Sequence, residues 1–161
     1  MLFGRGFPSL HAQKLLLEAA MVLVAVRLLL TLRQISRLNA RIARLQRQGA
    51  VPDRRWHDLR EIAWSVRAAS VLVPGATCLT QAMAGAWLLA RRGRNGEVHL
   101  TLPASSAFDD TAFRPHAWLF CGETIVLGGT PEDFAAHRLF ARPSDRTQLP
   151  QGLFSVGEPP E

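Results

Sequence analysis

The sequence is poorest in tyrosine, lysine and cysteine. Its 161 residues include no tyrosine, and its basic residues are almost all arginine, with Lys14 the single lysine. Without tyrosine, buried hydroxyl groups must come from serine and threonine. The two cysteines, Cys78 and Cys121, are too few for the disulfide framework of a small secreted protein. We therefore expect free thiols and a cytoplasmic location.

Patterns typical of metal binding and export are also missing. Neither cysteine belongs to a C-x-x-C pair, and no two histidines have the spacing of zinc ligands. No small-residue cleavage site follows the apolar stretch near the N-terminus, so a secretory signal is not expected. We predict a protein that uses no metal and no cofactor.

One long apolar run is present, over residues 15–32. Glu18 and Arg27 interrupt it. A membrane-spanning helix needs about 20 apolar residues, and a charge near its centre is unfavourable. We predict a helix that is buried or lies at an interface, and contact of this helix with a membrane surface stays open.

Helical spacing of apolar residues predicts four helices in the first part of the chain. Their expected ranges are 14–33, 34–48, 54–72 and 78–91. The fourth is rich in alanine and leucine and nearly uncharged, which is typical of a central, buried helix. The four tryptophans are expected mostly in the core.

Four arginines form a stripe on one face of the second helix: Arg33, Arg37, Arg41 and Arg44. Such a stripe is usually a solvated face, although it also suits an acidic partner or an anionic membrane surface. No aromatic-interleaved basic motif or zinc-finger pattern accompanies it, so we predict no nucleic-acid partner.

After residue 97 the pattern changes to alternation of apolar and polar residues, which predicts strands. The expected strands are 98–102, 116–121 and 124–128, with a hairpin turn at Gly122-Glu123 and a short helix over 132–140. Helices followed by a small antiparallel sheet predict an α+β fold. We divide the chain into an N-terminal helical extension (1–52), a core (53–141) and an irregular C-terminal tail (142–161).

A cysteine and a histidine occupy positions suited to chemistry. Cys78 begins the fourth predicted helix, where the helix field favours negative charge on sulfur and free N–H groups can hold an oxyanion. His116 begins a predicted strand, which would aim it as a general base. Together they suggest a cysteine nucleophile working with a histidine, although each alone also fits a structural role.

Neighbouring residues divide between the candidate site and the core. Strand alternation puts Trp118 on the face of His116, where it either walls a cleft or fills the core, and puts Cys121 on the opposite face as a packing residue. Gln81 lies one helical turn past Cys78, and it either donates to an oxyanion or packs.

The order of these residues resembles a known family. The segments are Cys78-Leu79-x-x-Ala82, Ala86-Trp87-Leu88-Leu89, Arg91-Arg92-Gly93 and His116-Ala117-Trp118. They resemble the lasso peptide biosynthesis B proteins, more narrowly the stand-alone protease type called B2, within the transglutaminase-like, papain-related superfamily. The resemblance implies a central helix packed on a small antiparallel sheet over 53–141, with Cys78 and His116 as the catalytic pair.

The resemblance also implies a function and partners. It implies a cysteine peptidase that removes the leader from a lasso peptide precursor before an asparagine-synthetase-like cyclase closes the ring. A separate leader-recognition protein is implied, because 161 residues are expected to hold the protease and not that module. Two alternatives stay open: acyl transfer to an amine, and a non-catalytic scaffold that binds the leader or the cyclase.

The sequence departs from the family at one position. The family commonly has an acidic residue about twelve positions after the histidine, and here Leu127-Gly128-Gly129 occupies that place. With a two-residue turn, His116 should face Gly129 and Trp118 should face Leu127. Either a backbone carbonyl or a loop acid would then orient the imidazole. The candidate acids are Asp133, favoured for its proximity, and Glu132, Asp109 and Asp110.

Overall fold

The computed structural model describes residues 9–48, 56–103 and 115–141. Its helices are α1 (Leu10–Thr31), α2 (Ile35–Gln48), α3 (Trp56–Ser70), α4 (Cys78–Arg91) and α5 (Pro131–Ala135). Its strands are β1 (Glu97–Pro103), β2 (His116–Cys121), β3 (Thr124–Leu127) and β4 (His137–Ala141). They form an antiparallel sheet of order β3-β2-β1-β4. The predicted α+β class is confirmed.

Helix α4 lies at the centre of the fold. Every residue from 82 to 90 is buried, and the helix packs against β2 as well as α1, α2 and α3. Close approach to the sheet depends on Gly85, where a Cβ would lie 2.5 Å from a methyl carbon of Leu119. The buried side chains of α1 to α4 and β1 to β3 make one hydrophobic core. This packing holds both ends of α4 in place.

Helix α1 is buried on one side only, although its sequence is almost uniformly apolar. One side packs on α3 and α4, whereas the other exposes large apolar residues. Its acidic residue, Glu18, pairs with Arg92 at 2.8 Å and with Arg91 at 3.3 Å, which explains how a charge is accommodated there. Within the described ranges, no helix has the length and apolar character needed to cross a bilayer.

The connection between α1 and α2 differs from the prediction. Arg33 adopts a left-handed φ of 55°, which breaks the helix before α2 begins at Ile35. Arg33 therefore does not belong to the arginine face of α2. The other three stripe residues are exposed, and the guanidinium of Arg41 lies 4.9 Å from the ring centroid of Trp87.

The predicted helix over 132–140 is wrong beyond Ala135. A capping box between Thr130 and Asp133, with Pro131 in the first turn, starts α5, but the helix lasts only five residues. Residues 137–141 instead form β4 and pair with β1. The edge of β1 offers backbone hydrogen bonds that local propensity does not reveal, and these override the helical pattern.

The hairpin turn is confirmed, but its register beyond the turn is not. Cys121 pairs with Thr124, as a two-residue turn requires. A bulge between Leu119 and Phe120 then shifts the pairing, so that Leu119 faces Leu127. The expected pair of Trp118 with Leu127 is therefore wrong, and Gly129, which was expected opposite His116, lies beyond the end of β3.

The domain division remains a prediction. The boundary between residues 52 and 53 falls in the segment 49–55, which lies outside the described residues, as does the tail 142–161. The buried residues of α1 and α2 belong to the same core as those of α3 and α4.

Candidate active site

Cys78 is the first residue of α4, and Thr77 caps the helix. The Thr77 hydroxyl accepts from the N–H of Thr80 at 3.3 Å, and its carbonyl accepts from the N–H of Gln81 at 3.0 Å. The N–H groups of Cys78 and Leu79 precede these bonds and have no acceptor among the described residues. They are available to hold an oxyanion that forms beside the thiol.

His116 is the first residue of β2, and a backbone carbonyl fixes its tautomer. Its Nε2 lies 2.7 Å from the carbonyl oxygen of Gly128. A carbonyl only accepts, so Nε2 must carry the proton in this hydrogen bond. In the neutral ring Nδ1 then holds the lone pair, which makes Nδ1 the atom that can take a proton from a thiol.

The ring of Trp118 packs against the imidazole of His116. The two rings meet edge to face, with centroids 5.0 Å apart and planes at 80°. Trp118 is buried, and its Nε1 donates to the hydroxyl of Thr101 at 2.7 Å. It therefore supports His116 from within the fold and is not among the residues that line the adjacent cleft.

Cys78 and His116 both line one cleft of about 410 Å³. The Sγ atom of Cys78 lies 4.0 Å from the carbonyl oxygen of Pro115, the residue that precedes His116. Gln81, Gly128 and Gly129 also line this cleft. The structure thus brings together three of the residues predicted from the sequence: the cysteine, the histidine and Gln81.

Asp133, the favoured third residue, is engaged elsewhere. Its Oδ2 accepts from the N–H of Thr130 at 2.9 Å and from the Thr130 hydroxyl at 3.0 Å. These hydrogen bonds lower the pKa of the Asp133 carboxyl, and the nearby charges of His137 and His116 add smaller effects in the same direction. The carboxylate is fully exposed and, within the described part of the chain, makes no hydrogen bond to His116.

Of the other acids considered from the sequence, Glu132 alone lies among the described residues, and it makes no hydrogen bond to the imidazole there. Glu132 is exposed in the first turn of α5. Asp109 and Asp110 lie outside the described residues.

Gly128 belongs to the segment 127–129, where the resemblance implies an acidic residue, and its surroundings leave no room for a side chain. Its φ is 125°, a conformation that favours glycine, and a Cβ there would lie 2.6 Å from a ring carbon of Trp118. The tryptophan behind the histidine therefore fills the space that an aspartate would need. This chain directs a backbone carbonyl at the imidazole, where the resemblance implies a carboxylate.

Two residues near the site were not foreseen. Arg67, on α3, lines the cleft, and a single arginine outside the apolar stripe of a helix gives no signal in the sequence. His137, on β4, has its ring centroid 6.1 Å from that of His116, and its Nδ1 donates to the carbonyl of Asp133 at 2.7 Å. The sequence did not reveal His137, because it predicted a helix over residues that form β4.

Cys121 lies away from the cleft. It ends β2 and packs against the core with Ala117 and Leu119, on the face that strand alternation predicted. In the ranges that the structure describes, no three histidine, cysteine or acidic side chains are grouped so as to hold a metal ion.

Comparison with known proteins places this geometry in a family. The sequence model described as the transglutaminase-like superfamily matches residues 21–139, a range that includes Cys78, His116 and Gly128. The chain belongs to the transglutaminase-like superfamily. The transglutaminase-like superfamily generally includes cysteine-dependent enzymes. Membership therefore indicates that this chain is of the cysteine peptidase or acyltransferase class. No curated protein and no solved structure matches the chain.

Proposed function

We propose that this protein is a cysteine peptidase that cuts a lasso peptide precursor between its leader and its core. The observation that carries the proposal is that Cys78 and His116 line one cleft, beside N–H groups at the start of α4 that have no acceptor among the described residues. The order of the Cys-Leu, Trp-Leu-Leu and His-Ala-Trp segments supports the choice of a lasso precursor as substrate.

The proposed reaction begins with proton transfer from the Cys78 thiol to Nδ1 of His116. The sulfur attacks the scissile carbonyl, and the N–H groups of Cys78 and Leu79 stabilise the oxyanion. His116 returns the proton to the leaving amine, so the core departs with a free N-terminus and the leader stays as a thioester. Water, deprotonated by His116, then releases the leader as a carboxylic acid and restores the thiol.

The carbonyl of Gly128 has a limited part in this mechanism. It accepts from Nε2 of His116 and so keeps the ring in one tautomer and orientation. A carbonyl carries only partial negative charge, so it stabilises the imidazolium less than a carboxylate would. We therefore propose that His116 is a well-oriented base whose imidazolium form is only weakly stabilised. The mechanism requires no acidic residue beside it.

The partners follow from the substrate. We propose that a separate leader-recognition protein presents the precursor, and that an asparagine-synthetase-like cyclase uses the freed core amine, with all three proteins in the cytoplasm. Membrane contact by the first helix also remains a proposal. The surface that supports this contact is the exposed apolar side of α1, formed by Leu17, Met21, Val24 and Leu28.

Two other functions each have one observation in their favour. Acyl transfer to an amine is supported by membership of the transglutaminase-like superfamily, and it uses the same cysteine and histidine. A non-catalytic scaffold that binds the leader or the cyclase is favoured by glycine at the position of the family acid. Product mass separates hydrolysis from transfer, because hydrolysis adds water.

Mass spectrometry of the cognate precursor, incubated with this protein and the leader-recognition partner, tests the proposal. Wild type and Cys121→Ala should release a leader carrying a free carboxylic acid, whereas Cys78→Ala should release none. Cleavage by folded Cys78→Ala would refute the assignment of the nucleophile. An intact precursor with wild type, when the partner is shown to be bound, would favour the scaffold.

A further inference from the structure

A second groove adjoins the candidate active site. It has a volume of about 590 Å³ and lies between α3 and β3, with Trp64 and Ile125 on opposite sides. Arg67 lines both this groove and the cleft that contains Cys78. The two cavities are therefore neighbours, with Arg67 at their common border.

The groove combines an exposed aromatic surface with two positive charges. Trp64 is 47% exposed, which corrects the expectation that it lies in the core. Arg60, Trp64 and Arg67 are spaced at i, i+4 and i+7, so they share one face of α3. Neither arginine has an acidic partner among the described residues. An apolar surface between two guanidinium groups without an acidic partner in the described ranges suits a peptide with apolar and acidic side chains.

The neighbouring strand suits an extended peptide. β3 lies at the edge of the sheet, and the pairing of the described strands leaves its outer side without a neighbour. Residues 124–126 line the groove, and Leu127 and Gly128 line the cleft. A peptide that follows β3 would thus pass directly from the groove to Cys78. At about 3.3 Å per residue, the length of β3 matches roughly four residues of extended peptide.

We propose that this groove binds the segment of the substrate next to the scissile bond and selects a carboxylate side chain beside a large apolar one. The direction toward Cys78 rests on the proposed peptidase function, whereas the preference for acidic and apolar side chains depends only on the groove. Arg60 and Trp64 would be specificity residues, because they line the groove and do not line the catalytic cleft.

Binding of two probe peptides to the full-length Cys78→Ala protein tests the proposal. Both are fluorescein-labelled dodecapeptides of leucine, glutamate and glycine, and one has lysine in place of every glutamate. By fluorescence anisotropy, the glutamate probe should bind at least tenfold more tightly, as expected for about one charge-assisted hydrogen bond. Arg60→Glu should abolish this preference, and Trp64→Ala should weaken the binding of both probes.

A matched control separates the groove from general electrostatic attraction. Arg44→Glu makes the same charge change at an exposed arginine of α2, outside the groove, and should keep the preference of the parent Cys78→Ala protein. Equal binding of the two probes by the Cys78→Ala protein would overturn the proposal. Equal effects of Arg60→Glu and Arg44→Glu would also overturn it, because the preference would then reflect net charge. Thermal unfolding of each variant verifies that it is folded.

The same data distinguish failure of this inference from failure of the proposed function. The binding experiment involves no cleavage, so selective binding together with a wild-type protein that does not cut its precursor would refute the peptidase and support the groove. Precursor cleavage together with unselective probe binding would support the peptidase and refute the groove.

Discussion

The two sides of the cleft are built in different ways. Cys78 is held by local structure: a threonine cap and a helix whose next turns are buried. His116 is held by contacts from distant parts of the chain, namely the carbonyl of Gly128 and the ring of Trp118. The nucleophile side thus depends on features that neighbouring residues determine, whereas the base side depends on how the sheet assembles.

The largest loss of activity should come from removing the base, His116. His116→Ala should lower kcat for precursor cleavage by about 10²–10⁴-fold, the usual contribution of a positioned acid–base group. KM should change little, because the substitution leaves the α3–β3 groove intact. Steady-state kinetics on the precursor measure both quantities, and an unchanged kcat would remove His116 from the mechanism.

The packing of α4 on β2 connects the two sides of the cleft, so the whole fold should be sensitive to it. Leu119 is fully buried against the helix, so Leu119→Ala should lower the free energy of unfolding by about 2–5 kcal/mol. Leu28→Ala is the matched control, because Leu28 is 56% exposed on α1, and its effect should stay within about 0.5 kcal/mol. Denaturant titration measures both variants, and equal losses would contradict the central position assigned to α4.

The base side should be sensitive to the backbone at residue 128. Gly128→Ala introduces a Cβ against Trp118, displaces the carbonyl from His116 and should lower kcat by as much as about a hundredfold. Gly122→Ala is its control, since Gly122 also has a positive φ of 60° but has open space around its Cβ position.

A second substitution at this position sharpens the test. Gly128→Asp should not exceed Gly128→Ala in activity, because its side chain meets the same tryptophan. A kcat for Gly128→Asp above that of wild type would show that the carboxylate of the family can act here. That result would contradict the role given to the carbonyl.

The smallest effect should come from Asp133. The lowered pKa of its carboxyl means that the cap stabilises the fold above the ordinary pKa of 3.8, and that this stabilisation is lost as the pH falls through the lower folded value. Asp133→Asn should therefore lower Tm slightly at neutral pH, and the difference from wild type should vanish in strong acid. A loss of kcat as large as that of His116→Ala would instead make Asp133 the third catalytic residue.

The sequence predicted the nucleophile side more completely than the base side. The range of α4, 78–91, was predicted to the residue, since a threonine cap and an apolar composition are local signals. The range of β2 was predicted equally well. A backbone carbonyl was one of the two predicted ways to orient His116, but the sequence did not indicate which residue supplies it. The bulge at Leu119 and the pairing of β4 with β1 depend on long-range contacts, so neither the choice of Gly128 nor the position of His137 followed from residue patterns.

The most direct test of the account compares the reactivity of the two cysteines. Iodoacetamide should alkylate Cys78 at least tenfold faster than Cys121 in the wild-type protein, as followed by peptide mass spectrometry, because a thiol assisted by a base reacts as thiolate. In His116→Ala that advantage should be largely lost. Equal rates at the two cysteines in wild type, or an advantage of Cys78 that persists without His116, would contradict a nucleophile paired with this histidine.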